Sequence, residues 1–440
     1  MNRIPGQKPE RGLIELYTDD PDRADRMVFG RVAGPDRRGF LRGAGLASMG
    51  AVLGTTIPFS ANMPAGLIPA ALAETVSDFA IESKHADMIV HNDRPMNVEA
   101  AAHLLDDDVT PADKHFIRNN GTMPYPIDRG EWRLTVDGEV NDPMELSYDE
   151  LMNDFEHVTL KLQLECGGNG RAGFNPLPRG NPWTIGAIGN AEWTGVRLSD
   201  ILRRAGLQPS AVYTGHFSYD QHLSGDPDRQ SISRGGPIDK MMDPHTIVAV
   251  KMNGGDIPIE HGFPARIVAP GWAGSVSQKW LTRVWVRDRE HDGPGMTGLS
   301  YRVPRYPVEA GAEVPDEDMM VMGSMIVKSV ITSPEGGREV SAGRPFEVRG
   351  HAWAGDDHVT GMEVSTDYGA TWQRATVEDP VNRYAWQRWR ANVTVPQAGY
   401  YEIFARATDN RGRSQPMVVP GWNPRGYLNN SCHRIHVTAV

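Results

Sequence analysis

From about residue 326 to the C-terminus the chain reads as nothing but short strands and turns. Phe346-Glu347-Val348-Arg349-Gly350-His351-Ala352-Trp353 is one run, and Gly361-Met362-Glu363-Val364-Ser365-Thr366 is another. Residues 400–407 alternate again and end at the turn Asp409-Asn410-Arg411-Gly412. Strands at that spacing over roughly 100 residues predict an immunoglobulin-like sandwich. Ahead of it, residues 304–318 are rich in proline and acid, which reads as a linker.

Residues 74–325 mix helices and strands without a regular βαβ rhythm, so the fold class expected is α+β. Residues 148–155 read as a short helix capped by Ser147, with Glu150 completing a capping box. Residues 159–164 alternate as a strand, 198–205 are apolar at helical spacing, and 247–259 read as a hairpin turning at Asn253-Gly254-Gly255. The domain boundaries expected are therefore 74–325 and 326–440.

The first 73 residues read as an address rather than as fold. Asp36-Arg37-Arg38-Gly39-Phe40-Leu41-Arg42 precedes a weakly apolar, Gly- and Ala-rich run, and Ala71-Leu72-Ala73 offers small residues for cleavage. This resembles a twin-arginine export signal, which implies a periplasmic protein exported already folded. No later segment approaches about 20 consecutive apolar residues, so the mature form is not expected to enter a membrane.

Composition narrows the chemistry. With 45 basic and 56 acidic residues the formal net charge is −11, which argues against nucleic acid as a partner. Two cysteines and 14 histidines exclude a disulfide scaffold and a protein of several iron–sulfur clusters. There is no C-x-x-C-H run, hence no expectation of covalently attached haem. One thiol stands out: Leu164-Glu165-Cys166-Gly167-Gly168-Asn169-Gly170-Arg171 puts Cys166 at a strand end inside a glycine-rich turn. Such a cysteine can be a nucleophile, a soft metal ligand, a disulfide partner of Cys432, or a buried structural thiol.

That octet resembles the molybdenum-ligand loop of the sulfite oxidase family, and further segments follow in the family's order. They are Phe116-Ile117-Arg118-Asn119-Asn120, Trp183-Thr184-Ile185-Gly186-Ala187-Ile188, Trp193-Thr194-Gly195-Val196-Arg197-Leu198 and His261-Gly262-Phe263-Pro264-Ala265-Arg266. Pro270-Gly271, Lys279-Trp280-Leu281, Tyr301, Trp422-Asn423-Pro424-Arg425-Gly426 and His433-Arg434 complete the set. The resemblance implies a molybdenum–molybdopterin cofactor held by Cys166, with Cys432 left as a structural thiol. It implies two-electron oxidation of sulfite to sulfate, the metal being reoxidised in single-electron steps.

By the same resemblance Arg118, Arg171 and Arg425 gather around the anion, where planar guanidinium donors suit an oxyanion. Tyr301 donates towards the metal or substrate, and Trp183 walls the pocket or packs in the core. Asn119, Asn120, His261, Arg266, Ser277, Gln278 and Lys279 contact the cofactor. Asn120 replaces a histidine of many relatives, so that pterin contact must differ in geometry or donor, and Gly170 replaces a bulkier, often basic residue, which implies a wider pocket or a less positive field. No haem domain is expected, so electrons pass to an external cytochrome c, and the sandwich implies a homodimer. A sulfur dehydrogenase or reductase of the same superfamily and a non-catalytic exported binding module remain as alternatives.

Overall fold

The computed structural model describes residues 81–124 and 127–440. The export signal read at residues 1–73 lies outside them. Strand pairing dominates. His157–Glu165 runs antiparallel to Ile188–Arg197 along its whole length, from His157 against Val196 to Glu165 against Ile188. Ile188–Arg197 pairs on its other side with Ile247–Met252, which also pairs with Gly255–Asp256 and Arg266–Val268. The hairpin at Asn253-Gly254 is thus formed, with both residues at positive φ (50° and 81°), as that turn type requires.

A second sheet has the order Met144–Ser147, Arg133–Gly138, Leu281–Arg287, Tyr213–Ser218, and its middle pair is parallel. The helix Tyr148–Asn153 starts at Ser147, whose hydroxyl accepts from the Glu150 amide while the Glu150 carboxylate accepts from the Ser147 amide. The helix Leu198–Ala205 ends at Gly206 with φ 69°. Its apolar face, Leu198, Ile201, Leu202 and Ala205, packs with Leu134, Val136, Val248 and Val284 between the two sheets. Complete burial of each such side chain contributes about 1.5–3 kcal/mol, enough to hold a short helix that would not form alone. Trp132 closes this core and donates its indole N–H to the Leu281 carbonyl at 2.8 Å.

The C-terminal domain is all strand, as expected. Eight strands run in the order Lys328–Ser333, Pro345–Trp353, Gln387–Thr394, Gln373–Val377, Val359–Ser365, Gly399–Asp409, His433–Ala439, Arg338–Val340. Because Gln373–Val377 bonds to both Gln387–Thr394 and Val359–Ser365, the two layers of the expected sandwich join into one curled sheet. Gln387–Thr394 alternates strictly buried and exposed, placing Trp389, Ala391 and Val393 inside. The proline- and acid-rich stretch is less free than a linker. Arg302–Pro304 and Met319–Val321 pair antiparallel and close it into an arm.

Candidate active site

Cys166 stands where the strand His157–Glu165 ends, and three glycines let the chain turn tightly beneath it. Its amide donates to the Ala187 carbonyl at 2.9 Å, and its carbonyl accepts from the Asn169 amide at 2.9 Å. Cys166 is 5% exposed and lines a cavity whose walls also include Arg118, Arg266, Lys279 and Tyr301. Both cysteines are free, so no Cys166–Cys432 disulfide exists. Cys432 sits apart in the strand domain, where burial pushes its thiol up to about 11.

One end of the cavity collects Arg118, Asn120 and Tyr301 beside Cys166. Arg118 Nη2 donates to Asn120 Oδ1 at 2.7 Å and to the Tyr301 hydroxyl at 3.5 Å, and Nη1 donates to the Asn119 carbonyl. The Tyr301 hydroxyl also donates to Asn120 Oδ1 at 3.4 Å. Burial works against the Arg118 charge, but Tyr301, Cys166 and Tyr427 outweigh it and hold its pKa above the usual value. Tyr301 has φ 52° and its cavity neighbour Trp280 has φ 48°, a conformation that costs about 1–3 kcal/mol in a bulky residue. Two strained residues facing one cavity mark a place where side-chain direction outranks local stability.

The other end is cationic. Arg266, 5% exposed, spends its guanidinium on the carbonyls of His261 (2.7 Å), Ser277 (2.9 Å) and Ile267 (3.3 Å) with no carboxylate among its partners, and burial lowers its pKa to about 9. Lys279 donates to the Glu260 carbonyl at 2.8 Å and to Asn119 Oδ1, and burial drives its pKa well below the ordinary value. His261 Nε2 lies 2.6 Å from Lys84 Nζ, whose own pKa is lowered by burial to about 8. His115 is buried and held neutral, its pKa lowered by burial to about 3.

This donor set fits the cofactor the sequence implies. A single soft thiolate opens into the cavity, suiting a metal whose remaining ligands come from a dithiolene. Among the described residues no cluster of three His, Cys, Asp or Glu side chains could hold a metal without such a group. Asn119 Nδ2, His115 Nε2 and Ser275 Oγ lie buried without partners along the same walls. Two unpaired buried donors, Asn119 Nδ2 and Ser275 Oγ, and one unpaired acceptor, the Nε2 of a neutral His115 whose Nδ1 donates to the Phe116 carbonyl, stand beside buried cations and suit an anionic ligand with hydrogen-bonding groups of both kinds, as a phosphate-bearing pterin is.

The remaining expected residues are placed as follows. Ser277 Oγ accepts from the Ala269 amide (2.9 Å) and Gln278 Nε2 donates to Ser218 Oγ (2.7 Å), and both residues line the cavity. Arg171 and Arg425 do not line it. Arg171 Nε donates to the Arg425 carbonyl at 2.6 Å and its guanidinium lies 5.3 Å over the Tyr427 ring. Trp183 is fully buried in the core cluster that contains Cys166, without facing the cavity. The wider pocket expected at Gly170 is not found. With φ 93° and a would-be Cβ 3.1 Å from Asn429 Cβ, Gly170 answers to the turn and its neighbour.

Sequence reasoning passed over Lys84, His115, Arg234 and Tyr427. Tyr427 stacks on Tyr301 with centroids 5.6 Å apart, and Arg234, fully buried, lies 4.8 Å over the same ring. Only tertiary packing brings His115 to the cavity wall and sets Lys84 behind His261 and Arg234 and Tyr427 behind Tyr301. The Arg425-Gly426-Tyr427 sequence, next to a motif already noted, held the one local hint.

Comparison with known proteins agrees with the geometry. Residues 120–294 match the oxidoreductase molybdopterin binding domain, and residues 319–440 match the Mo-co oxidoreductase dimerisation domain. The chain is 34% identical over 373 residues to mitochondrial sulfite oxidase of Homo sapiens, covering 80% of this chain and 66% of that protein. It is 32% identical over 363 residues to sulfite oxidase of Gallus gallus, covering 80% and 78% respectively. The crystal structure of the sulfane dehydrogenase SoxCD from Paracoccus pantotrophus superposes with a TM-score of 0.66 at 25% identity, covering 87% of this chain and 95% of that one. With a lone cysteine thiol and a cationic, donor-rich cavity built on this two-domain frame, the chain belongs to the sulfite oxidase family of molybdopterin-binding oxidoreductases.

Proposed function

We propose that this protein oxidises sulfite to sulfate and passes the two electrons to an external cytochrome c, working as a periplasmic homodimer exported by the twin-arginine route. The observation that carries the reading is the meeting of Cys166, Arg118 and Tyr301 at one end of a cavity whose other end is a cradle for an anion. When bound, the molybdenum–pterin group supplies the oxygen transfer and the electron relay. Sulfite and water give sulfate, two protons and two electrons, which fixes the stoichiometry of the acceptor.

The chain's own residues bind, orient and exclude water. Arg118 keeps Nε–H and one Nη1 hydrogen without partners among the described residues; the two point along different edges of the guanidinium, so each is a single charged donor to an oxyanion. Asn120 fixes the guanidinium plane, since its single Oδ1 accepts from both Arg118 and Tyr301. Tyr301, 7% exposed, presents a hydroxyl whose single proton bonds Asn120 Oδ1 at 3.4 Å and can turn to the substrate in its place. Arg266, Lys279, His261 and Asn119 would hold the pterin and its phosphate, and Cys166 the metal. A net charge of −11 suits a basic cytochrome, and the match to a Mo-co dimerisation domain supports a second copy as partner.

The likeness to a sulfane dehydrogenase favours one second reading, oxidation of a bound sulfane sulfur. Cytochrome c reduction with free sulfite against carrier-bound sulfur, alongside molybdenum quantification, separates the two. Cys166→Ser should abolish sulfite-dependent reduction. Full activity in that variant would remove the assignment.

A further inference from the structure

The strand domain reaches into the cysteine loop. Lys328, the first residue of Lys328–Ser333, is 3% exposed and pairs with Glu165, which is fully buried and immediately precedes Cys166. Its ammonium donates to Glu165 Oε1 and to the Asn169 carbonyl, both at 2.8 Å. Trp353 of the same domain donates its indole N–H to Glu165 Oε2 at 2.8 Å. Asn169 Nδ2 returns to Glu165 Oε1 at 3.1 Å. One carboxylate therefore collects three donors, two of them from the C-terminal domain, and one ammonium ties both flanks of Cys166 together.

Downstream the clamp continues. The Leu428 amide donates to the Gly167 carbonyl at 3.1 Å, and Asn429 Nδ2 donates to the Gly170 carbonyl at 2.7 Å. The carbonyls of Gly167, Asn169 and Gly170 are thus all held from beyond residue 319. A glycine-rich turn has little side-chain packing of its own and wide backbone freedom, so its geometry must be imposed from outside. A buried ion pair adds little net stability over an apolar pair of the same shape, so its use here lies in fixing one geometry.

We infer that Lys328 is a positioning residue for Cys166: the domain matched as a dimerisation module also sets where the thiol stands. This rests on Cys166 as the metal ligand, but the loop geometry can be tested without metal. The probe is alkylation of Cys166 by N-ethylmaleimide in the cofactor-free full chain, in a Cys432→Ser background so that one thiol reports. Lys328→Met with Glu165→Gln removes the pair without leaving a buried charge. The expected result is at least a tenfold faster alkylation at an unchanged melting temperature, and an altered Mo(V) paramagnetic resonance spectrum in the loaded protein.

Lys240→Met serves as control, since it breaks another pair to the strand domain, Lys240–Asp356 at 2.9 Å, whose ammonium bonds Asp356 and Tyr384 and no residue of the cysteine loop. It should leave the alkylation rate unchanged. An equal acceleration in that control, or a folded double variant within twofold of the parent rate, overturns the inference. Should the double variant not fold, Trp353→Phe takes its place: about threefold acceleration supports the clamp, and no change refutes it. Absence of molybdenum from the loaded parent would instead defeat the functional reading and leave the alkylation result standing.

Discussion

Arg118→Gln isolates the contact between protein and substrate. In the parent, Nη2 is committed to Asn120 and Tyr301 and one Nη1 hydrogen to the Asn119 carbonyl, which leaves two donors for the anion. The two lie on different edges of the guanidinium, so one of them bonds a given anion, and a hydrogen bond to a charged group contributes about 1.5–3 kcal/mol. At 1.4 kcal/mol per decade that is roughly a tenfold to hundredfold loss in kcat/KM. The loss should fall mainly on KM, because a guanidinium that grips sulfite grips the ground state as well as the transition state. Asn120 keeps its bond from Tyr301, so the cavity wall retains one fixed contact when the guanidinium goes.

The assay is steady-state cytochrome c reduction over a sulfite series at fixed ionic strength, with molybdenum content and melting temperature measured on the same preparations. A KM within threefold of the parent at full metal content would falsify the role of Arg118 as a substrate ligand. A parallel fall in metal content would also count against it, since Arg118 would then be holding the cofactor.

Other outcomes follow from the same contacts. Arg234→Met removes the cation lying 4.8 Å over the Tyr301 ring, so kcat should drop by about tenfold with little change in melting temperature; an unchanged kcat separates Arg234 from Tyr301 placement. Burial, aided by the nearby Arg388, lowers His351 to about 4. Between that value and 6.5 the unfolded chain binds the extra proton, so stability falls as pH drops from about 6.5 to about 4. The loss reaches about 3 kcal/mol, and His351→Gln should make the denaturation profile shallower by about that amount, while His115 and His433, lowered by burial to about 3 and about 4, keep the remaining slope. Gly170→Ala forces a side chain to φ 93° against Asn429, which should cost about 1–3 kcal/mol and lower the melting temperature. Cytochrome reduction should slow at least severalfold between low and physiological ionic strength; a rate indifferent to salt removes charge steering from the encounter.

What the sequence disclosed and what it withheld divide along a physical line. Strands and turns with strong local signatures were legible: the capping box at Ser147 and Glu150, the Asn253-Gly254 hairpin, the strand run along 346–353. So was the position of Cys166 at a strand end. The closure of two layers into one curled sheet was not, because it depends on the short strand Gln373–Val377 bonding on both sides, which alternation cannot reveal. The arm built on Arg302–Pro304 and Met319–Val321 was hidden for the same reason. Two strands of three residues pair only because their neighbours hold them together.

The site shows the same division at atomic scale. Motif order located Arg118, Tyr301 and Lys279, residues that line the cavity. It gave no sign of Lys328, Trp353 or Lys84, residues whose work is to hold others. A side chain that touches a ligand must be one of a few chemical types, whereas a side chain that steadies a neighbour is defined only by where the fold delivers it. Arg171 makes the point from the other direction. An arginine three residues after Gly168 looks like a substrate donor, yet its Nε is committed to the Arg425 carbonyl and its Nη1 to the Asn181 carbonyl at 2.7 Å. Both bonds tie the cysteine loop to its surroundings, and Arg171 does not line the cavity. Conversely Asn120, which looks like a substitute cofactor ligand, spends its one carbonyl oxygen on Arg118 and Tyr301. An Asn120→His exchange would replace that doubly accepting oxygen with a ring nitrogen that accepts once, releasing either the guanidinium or the phenol from its fixed plane.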